Sequence, residues 1–187
     1  MNTSQNQLQT KAHFDTVNWE PLSWDSLFMR HVYLIASKSK DRKTKIGAVL
    51  VRDNSIISEG YNGICRGVDD DITERHERPE KYFWAEHAER NCIYHCARNG
   101  ISTLDTTLYT QGLPCSDCTR AIIQSGIKEI VLHEEWEHDL TLNIVRDKWS
   151  ESGQRSDLMI YESRIKVRIF SGKLGMKTMV DGRIYTI

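Results

Sequence analysis

Two short stretches of sequence decide how this chain folds: HAE at residues 87–89 and PCSDC at residues 114–118. Each is predicted to lie where a helix begins. His87 and Glu89 are two residues apart and would diverge within a helix, so both can reach one point only if the first helix begins at or near His87. The second stretch begins with proline, a residue suited to helix starts. We therefore predict that two helix N-termini face each other.

The two stretches supply one imidazole and two thiols for a metal ion. Cys115 and Cys118 are three residues apart and share a helix face, where free backbone N–H groups favour thiolates. With His87 they make three ligands for Zn²⁺, which leaves the fourth tetrahedral position open for water. Glu89 has no metal bond to make, and it can accept a proton as the water becomes hydroxide. A structural zinc site is the alternative, but a structural site would have a fourth protein ligand.

Apolar runs between polar segments predict the strands of a mixed sheet. They lie at Ile46–Val51, Ser55–Ser58, Thr106–Thr110, Ile127–Leu132 and Ile165–Phe170. Other predictions are a helix from Ser23, a flexible loop at 60–63, a helix at 139–150 and a hairpin at 179–184. The alternation of strands and helices indicates an α/β domain whose helices cover the sheet.

The amino-acid composition narrows the kinds of partner and the cellular compartment that we expect for this protein. Lys and Arg number 25 and Asp and Glu number 26, so the near-balanced charge favours a small-molecule nucleotide over nucleic acid as a partner. No stretch approaches the roughly 20 apolar residues of a membrane span, and the N-terminus does not resemble a signal peptide. The five cysteines are an odd number, which argues for reduced thiols. We expect a cytoplasmic protein without a membrane partner.

The pattern H-x-E…P-C-x-x-C is the signature of the zinc-dependent nucleobase deaminases. From Trp24 to about Trp136 the sequence also resembles the deoxycytidylate (dCMP) deaminases of the cytidine deaminase-like superfamily. The other matching stretches are SKD at 39–41, IGAV at 46–49, GYNG at 60–63 and IIQSGI at 122–127.

This resemblance implies a fold, a reaction and a division of the chain. The fold would be a three-layer α/β/α arrangement with a central mixed sheet of about five strands. The reaction would convert dCMP to dUMP and ammonia, with attack of zinc-bound hydroxide on C4 and proton transfer by Glu89. We divide the chain into an N-terminal tail (1–20), the zinc deaminase domain (21–170) and a C-terminal tail or small hairpin (171–187).

The resemblance also implies substrate contacts. Asn62 would bind the sugar, and Trp136 occupies the place of a family tyrosine that contacts substrate near its phosphate. The chain also departs from the family at Gln111. A phosphate requires charge-assisted donors. The candidate donors are Lys40, Arg42, Lys43, Lys45 and Arg66, of which we select Lys45 and Arg66.

The resemblance also implies that the protein assembles into an oligomer and that nucleotides regulate it. A homo-oligomer is expected, with a hexamer favoured, and dCTP and dTTP would regulate it with Mg²⁺ near Arg98. Four of the five tryptophans lie outside the predicted core, and exposed aromatic surface usually marks an interface. We expect one zinc per chain and no second, structural zinc, because Cys92 and Cys96 are predicted to pack in the core.

Two other classes of function remain open at this point. The chain could deaminate another nucleotide or base, such as dCTP, a modified cytosine, guanine or adenosine in tRNA. It could also be a non-catalytic nucleotide-binding protein on a deaminase scaffold. Glu89 argues against this second class, because a scaffold has no need of a proton shuttle.

Overall fold

The computed structural model describes residues 20–138 and 150–187, and these residues form an α/β domain as predicted. The predictions for residues 1–19 and for a helix at 139–149, together with Trp19 and Trp149, lie outside the described residues. None of the helices in the described ranges has the length and apolar character that a membrane span requires.

A five-stranded mixed sheet with the order β2-β1-β5-β6-β7 forms the centre of the domain. Its strands are β1 (Gly47–Arg52), β2 (Ser55–Tyr61), β5 (Thr107–Thr110), β6 (Glu129–His133) and β7 (Lys166–Phe170). β1 pairs antiparallel with β2 and β5, whereas β5, β6 and β7 run parallel. Two further pairs are β3 (Gly63–Ile64) with β4 (Ala85–Glu86), and β8 (Lys177–Val180) with β9 (Arg183–Thr186).

Helices cover both faces of the sheet and give the three predicted layers. They are α1 (Trp24–Ala36), α2 (Lys81–Trp84), α3 (Ala88–Asn99), α4 (Ser116–Gln124), α5 (Glu134–His138) and α6 (Ser150–Ser163). Alternate residues of β1 divide between two apolar clusters. Val49 and Val51 pack on the side of α1, whereas Ala48 and Leu50 pack on the side of α3 and α4.

Gly60 is required for close packing, which corrects our prediction of a flexible loop at 60–63. Gly60 and Tyr61 are the last residues of β2. A Cβ atom on Gly60 would overlap the carbonyl oxygen of Ala88 and lie 2.5 Å from the backbone nitrogen of Cys92. α3 therefore packs on β2 at a distance that only glycine permits, and this contact places the start of α3 relative to the sheet.

α6 is a helix that the sequence pattern did not predict. Its residues, SESGQRSDLMIYES, are mostly polar and show little apolar periodicity, although Ile160 is buried. Hydroxyl groups connect it to the start of α4. The Ser156 hydroxyl donates to the carbonyl oxygen of Pro114 (2.7 Å), and the Ser152 hydroxyl accepts from the backbone N–H of Ser116 (2.9 Å).

The C-terminal segment is part of the core rather than a loose tail. Its hairpin, β8–β9, includes the hairpin predicted at 179–184 and turns at residues 181–182. Leu174, Val180 and Ile187 are each at most 4% exposed and belong to the apolar cluster beneath α1. Hydrophobic burial therefore fixes the base of the hairpin.

The tryptophans only partly match the expected exposed aromatic surface. Trp24 lies on α1 with 53% of its surface exposed and stacks on Phe28, with 5.6 Å between the ring centroids. Trp136 is 8% exposed and packs in the cluster on the side of α1, so the expectation of exposure is wrong for Trp136.

Arg168 of β7 connects α1 to the parallel strands. Its guanidinium donates to both carboxylate oxygens of Asp25 (2.6 and 3.1 Å), and its Nε donates to Glu129 (2.9 Å). The Tyr109 hydroxyl also donates to Asp25 (2.6 Å). The hydrogen bonds from Arg168 lower the pKa of Asp25 despite the opposing effect of burial.

Replacing Asp25 with Asn should destabilise the protein in a pH-dependent way. At pH 7 we expect the free energy of unfolding to fall by about 1–2 kcal/mol. This is the contribution of a hydrogen bond to a charged group, reduced because solvent screens the pair. Because the folded-state pKa of Asp25 lies below its unfolded value near 3.8, its stabilisation is complete above that value and disappears as pH falls through the folded pKa. Urea unfolding between pH 7 and pH 3 measures the difference.

The matched control is Asp157→Asn, which changes an exposed aspartate on α6. It should behave like the wild type throughout. A stability difference for Asp25→Asn that stayed constant into acid would contradict the assigned ion pair.

Candidate active site

Both ligand stretches lie at helix starts, as predicted. His87 is the N-cap residue of α3, and Cys115 is the N-cap residue of α4. Cys118 follows in the first turn of α4 and is buried. Neither N-cap side chain caps its helix, although the Ser116 N–H is taken by the Ser152 hydroxyl, so the positive ends of both helix dipoles can stabilise negative charge.

The three ligand atoms are close enough to bind one metal ion. The His87 Nδ1 atom lies 3.5 Å from the sulfur of Cys115 and 3.5 Å from that of Cys118. All three atoms lie within 4.8 Å of one another. Tetrahedral zinc with bonds of about 2.1 Å to nitrogen and 2.3 Å to sulfur separates its ligands by roughly 3.5–3.8 Å. The group therefore fits Zn²⁺.

The three ligands share protons with one another. Hydrogen bonds from Cys118 and His87 lower the pKa of Cys115 to about 4, despite burial. The pKa of Cys118 is raised, because its thiol donates to Cys115 and burial opposes a second negative charge. The bond to Cys115 raises the pKa of His87. A bound zinc ion would displace the protons that these groups share.

Glu89 lies beside the ligands in the first turn of α3. It is 5% exposed, and burial raises its pKa above the ordinary value of a glutamate. Its side chain lines the same cavity as His87 and Cys115. A carboxylate with a raised pKa is a stronger base and is suited to accept a proton from water.

A charged bridge that the sequence did not reveal joins the two helix starts. Glu86 accepts a hydrogen bond from the backbone N–H of His87 (3.0 Å) and forms an ion pair with Arg90. The Nη1 atom of Arg90 also lies 3.6 Å from a carboxylate oxygen of Asp117 on α4. Arg90 therefore connects the residue before the first ligand to the first turn of the cysteine helix.

A cavity of about 820 Å³ opens over the ligand group. The starts of α3 and α4 form its base, and residues of α2, α6 and the β8–β9 turn contribute to its wall. This volume suits a small-molecule ligand of nucleotide size.

Two of the predicted substrate residues, Asn62 and Trp136, line this cavity. The Asn62 side chain accepts from the N–H of Ile46 (2.9 Å) and donates to the carbonyl oxygen of Thr44 (2.8 Å). These bonds fix Asn62 against the segment that enters β1. They use one of the two amide hydrogens, so a second donor is left for a ligand.

Lys45 and Arg66, the predicted phosphate ligands, are not among the residues that line the cavity. The Lys45 ammonium donates to the carbonyl oxygen of Ser39, and Arg66 is exposed in the segment after β3. Within residues 20–138 and 150–187, the Lys and Arg residues that line the cavity are Arg78, Lys81 and Arg90.

Lys81 is held by a buried ion pair that no sequence pattern indicated. Its ammonium lies 2.8 Å from Asp41, and the two side chains are 14% and 9% exposed. Asp41 also accepts from the N–H groups of Lys43 and Thr44 (2.8 and 3.0 Å). Burial alone would raise the pKa of Asp41, but these bonds outweigh it and lower the pKa. The partners are 40 positions apart, so no local spacing revealed the pair.

Gln111 connects the starts and ends of neighbouring strands near the cavity. Its side chain accepts from the N–H of Gly47 (2.7 Å) and donates to the carbonyl oxygen of Lys45 (2.9 Å). Its backbone carbonyl accepts from the N–H of His133 (3.0 Å). The departure from the family at this position therefore has a structural role.

The other cysteines lie apart from the His87 group, as does His76. Cys92 and Cys96 are buried in the apolar cluster on the side of α3, and Cys65 is exposed. The His76 ring bonds to the carbonyl oxygen of Asp70 (2.7 Å). In the described part of the chain, one group of three or more potential metal ligands comes together, at His87.

Comparisons with known proteins agree with this geometry. The family model described as the cytidine and deoxycytidylate deaminase zinc-binding region matches residues 22–134. Human deoxycytidylate deaminase is 35% identical over 124 residues, which cover 63% of this chain and 68% of that protein. An uncharacterised deaminase of Aliivibrio fischeri is 33% identical over 144 residues, covering 77% of this chain and 91% of that protein.

A solved structure shares the fold. The dCMP deaminase from the cyanophage S-TIM5, in complex with dCMP and dUMP, aligns with a TM-score of 0.61. The alignment covers 81% of this chain and 100% of that chain, at 20% sequence identity. The described residues therefore adopt the α/β/α fold that the resemblance implied.

Removing one ligand should remove the metal. We expect one zinc ion per chain in the wild type and close to none in Cys115→Ala, because two protein ligands do not retain zinc against a chelator. Metal analysis after dialysis against a weak chelator measures the content. Cys65→Ala changes an exposed cysteine and should retain its zinc. Full zinc content in Cys115→Ala would refute the assignment.

Proposed function

The chain belongs to the cytidine and deoxycytidylate deaminase family, and we propose that it hydrolyses dCMP to dUMP and ammonia. The observation that carries this proposal is the buried carboxyl group of Glu89 beside three metal ligands at the base of a nucleotide-sized cavity. Three protein ligands leave a coordination position for water, as a hydrolytic zinc site requires. The similarity to human deoxycytidylate deaminase supports dCMP as the substrate.

Glu89 supplies the proton transfers of the reaction. A bound zinc ion supplies a Lewis acid that makes water nucleophilic near neutral pH. Glu89 accepts one proton from the attacking water and donates it to the ring nitrogen N3; it then takes the second proton, from the new hydroxyl group on C4, and delivers it to the departing amine. An oxygen–carbon bond forms at C4, the bond from C4 to the exocyclic nitrogen breaks, and ammonia leaves. Burial raises the pKa of Glu89, which makes its carboxylate a stronger base toward the attacking water.

The rest of the nucleotide would extend away from the ligand group. We place the sugar at Asn62 and the 5′-phosphate at Arg78 and Lys81, since all three residues line the cavity. Lys81 is fixed by Asp41, and the Arg78 guanidinium lies 5.8 Å from the ring centroid of Tyr82. These cations replace Lys45 and Arg66 as the phosphate ligands, because a phosphate prefers charge-assisted donors within direct reach.

The predictions on assembly, regulation and compartment stand as parts of this proposal. Arg98 is exposed in the last turn of α3, and exposed apolar side chains such as Phe83 and Tyr161 support an interface of a homo-oligomer, with a hexamer favoured. Control by dCTP and dTTP with Mg²⁺ is proposed at Arg98. A monomer in light scattering would contradict the assembly.

The five free cysteines support a reducing, cytoplasmic compartment.

Changing Glu89 to Gln should separate metal binding from catalysis. The amide preserves the shape of the side chain but cannot transfer protons, so kcat should fall by about 10²–10⁴-fold. Zinc content and dCMP binding should stay at wild-type values. Ammonia release measures the rate, metal analysis the zinc content, and calorimetry the binding of dCMP. A near-normal rate in zinc-loaded Glu89→Gln protein would exclude Glu89 from the mechanism.

A substrate panel tests the proposed reaction directly. Ammonia release should show a higher kcat/KM for dCMP than for deoxycytidine, cytosine, dCTP, guanine or adenosine in a tRNA hairpin. A preference for the nucleoside, the base or the RNA would contradict the proposal, and a preference for dCTP would mean a larger phosphate site.

The same panel tests the phosphate ligands. Arg78→Met should lower kcat/KM for dCMP by about tenfold or more and leave deoxycytidine unchanged, since only the nucleotide carries a phosphate. Arg66→Met changes an exposed arginine outside the cavity and serves as the matched control.

A further inference from the structure

The β8–β9 hairpin contributes to the cavity although it lies outside the part of the chain that matches the family. The family match covers residues 22–134, whereas the hairpin spans residues 177–186. Its turn places Asp181 on the wall of the cavity, together with Thr44 and Asn62. This chain therefore has a wall element that the family motifs do not account for.

Hydrogen bonds from the backbone of the turn fix it against residues 43–44, the segment to which the Asn62 side chain also bonds. The N–H of Asp181 donates to the Thr44 hydroxyl (3.1 Å), and the N–H of Gly182 donates to the carbonyl oxygen of Lys43 (2.7 Å). Thr44 in turn accepts from the Asn62 amide (2.8 Å). Thr44 thus connects Asp181 to the residue at which the sugar is placed.

The base of the hairpin makes it a fixed wall rather than a moving flap. Val180 is 2% exposed, and the N–H of Lys45 donates to the carbonyl oxygen of Met179 (3.0 Å). The Arg30 guanidinium of α1 donates to the carbonyl oxygen of Leu174 (2.6 Å). Contacts on both sides therefore position the turn before any ligand binds, as selective recognition requires.

We propose that Asp181 selects nucleotides with a free 3′-hydroxyl group. Its carboxylate accepts a hydrogen bond from that hydroxyl, and it repels the negative charge of a phosphate attached at the same oxygen. A nucleotide within a polynucleotide chain carries such a phosphate and has no 3′ proton to donate. The hairpin would thus restrict the enzyme to free nucleotides. The inference rests on the proposed function, specifically on the sugar site at Asn62.

Asp181 also has a structural role in the backbone of the turn. The test must separate this role from recognition of the 3′-hydroxyl group. Asp181 has a φ angle of 47° and Gly182 one of 79°, and aspartate tolerates this left-handed region in a two-residue hairpin turn. Asp53 has the same role in the β1–β2 turn, with a φ angle of 50°, and it does not line the cavity. Asp53 therefore provides a matched control.

The experiment compares dCMP with 2′,3′-dideoxycytidine 5′-monophosphate, which lacks the 3′-hydroxyl, and with deoxycytidine 3′,5′-bisphosphate. The wild type should favour dCMP over the dideoxy analogue in kcat/KM by about 10- to 100-fold, the range of a hydrogen bond to a charged group. Asp181→Gly suits the turn and removes the acceptor, so it should lower kcat/KM for dCMP by at least about tenfold. The dideoxy analogue should be unaffected by the change.

A second variant isolates the charge. Asp181→Asn keeps an acceptor and the turn geometry but removes the negative charge, so it should increase turnover of the 3′,5′-bisphosphate relative to dCMP. Asp53→Gly and Asp53→Asn should leave every ratio at the wild-type value.

The outcomes separate this inference from the proposed function. Equal loss for dCMP and the dideoxy analogue in Asp181→Gly would show a structural role only and overturn the inference. Equal use of the two substrates by the wild type would overturn it as well. Wild-type protein that releases no ammonia from dCMP would instead refute the proposed function, and the inference with it.

Discussion

Two helix N-termini meet at one point in this structure, and their positive dipole ends would repel each other without negative charge between them. The thiolate of Cys115 and the carboxylates of Glu86 and Asp117 supply that charge, and Arg90 connects the two carboxylates. The arrangement needs α3 at a fixed position over the sheet, which Gly60 permits by its lack of a Cβ atom. The positions of the metal ligands, of Glu89 and of the cavity base all depend on this contact between the two helix starts.

Local spacing is why the metal group could be predicted from the sequence. His87 and Glu89 lie in one helix start, and the two cysteines lie in another, so short-range geometry decides where each ligand is placed. The strands β1, β5 and β6 were predictable from continuous apolar runs, because they are buried on both faces of the sheet. α6 was missed because serine hydroxyls, rather than an apolar stripe, attach it to α4.

The residues that recognise the rest of the ligand depend on long-range contacts, which sequence patterns do not encode. Lys81 reaches the cavity through its pairing with Asp41, and Asp181 reaches it through the 43–45 segment. Lys45 was selected from the sequence as a cation near the predicted site, but its ammonium is directed to the carbonyl oxygen of Ser39. Arg78 and Lys81, which line the cavity, were not among the candidates, because only tertiary contacts bring them there.

The contact between α1 and β7 has a consequence for synthesis of the protein. Asp25 and Arg168 are 143 positions apart, and α1 packs on an apolar cluster completed by Leu174, Val180 and Ile187. A nascent chain emerges from the ribosome N-terminal part first. The apolar face of α1 therefore stays partly uncovered through most of translation, and chaperones that bind exposed apolar helices would find it there until the hairpin is made.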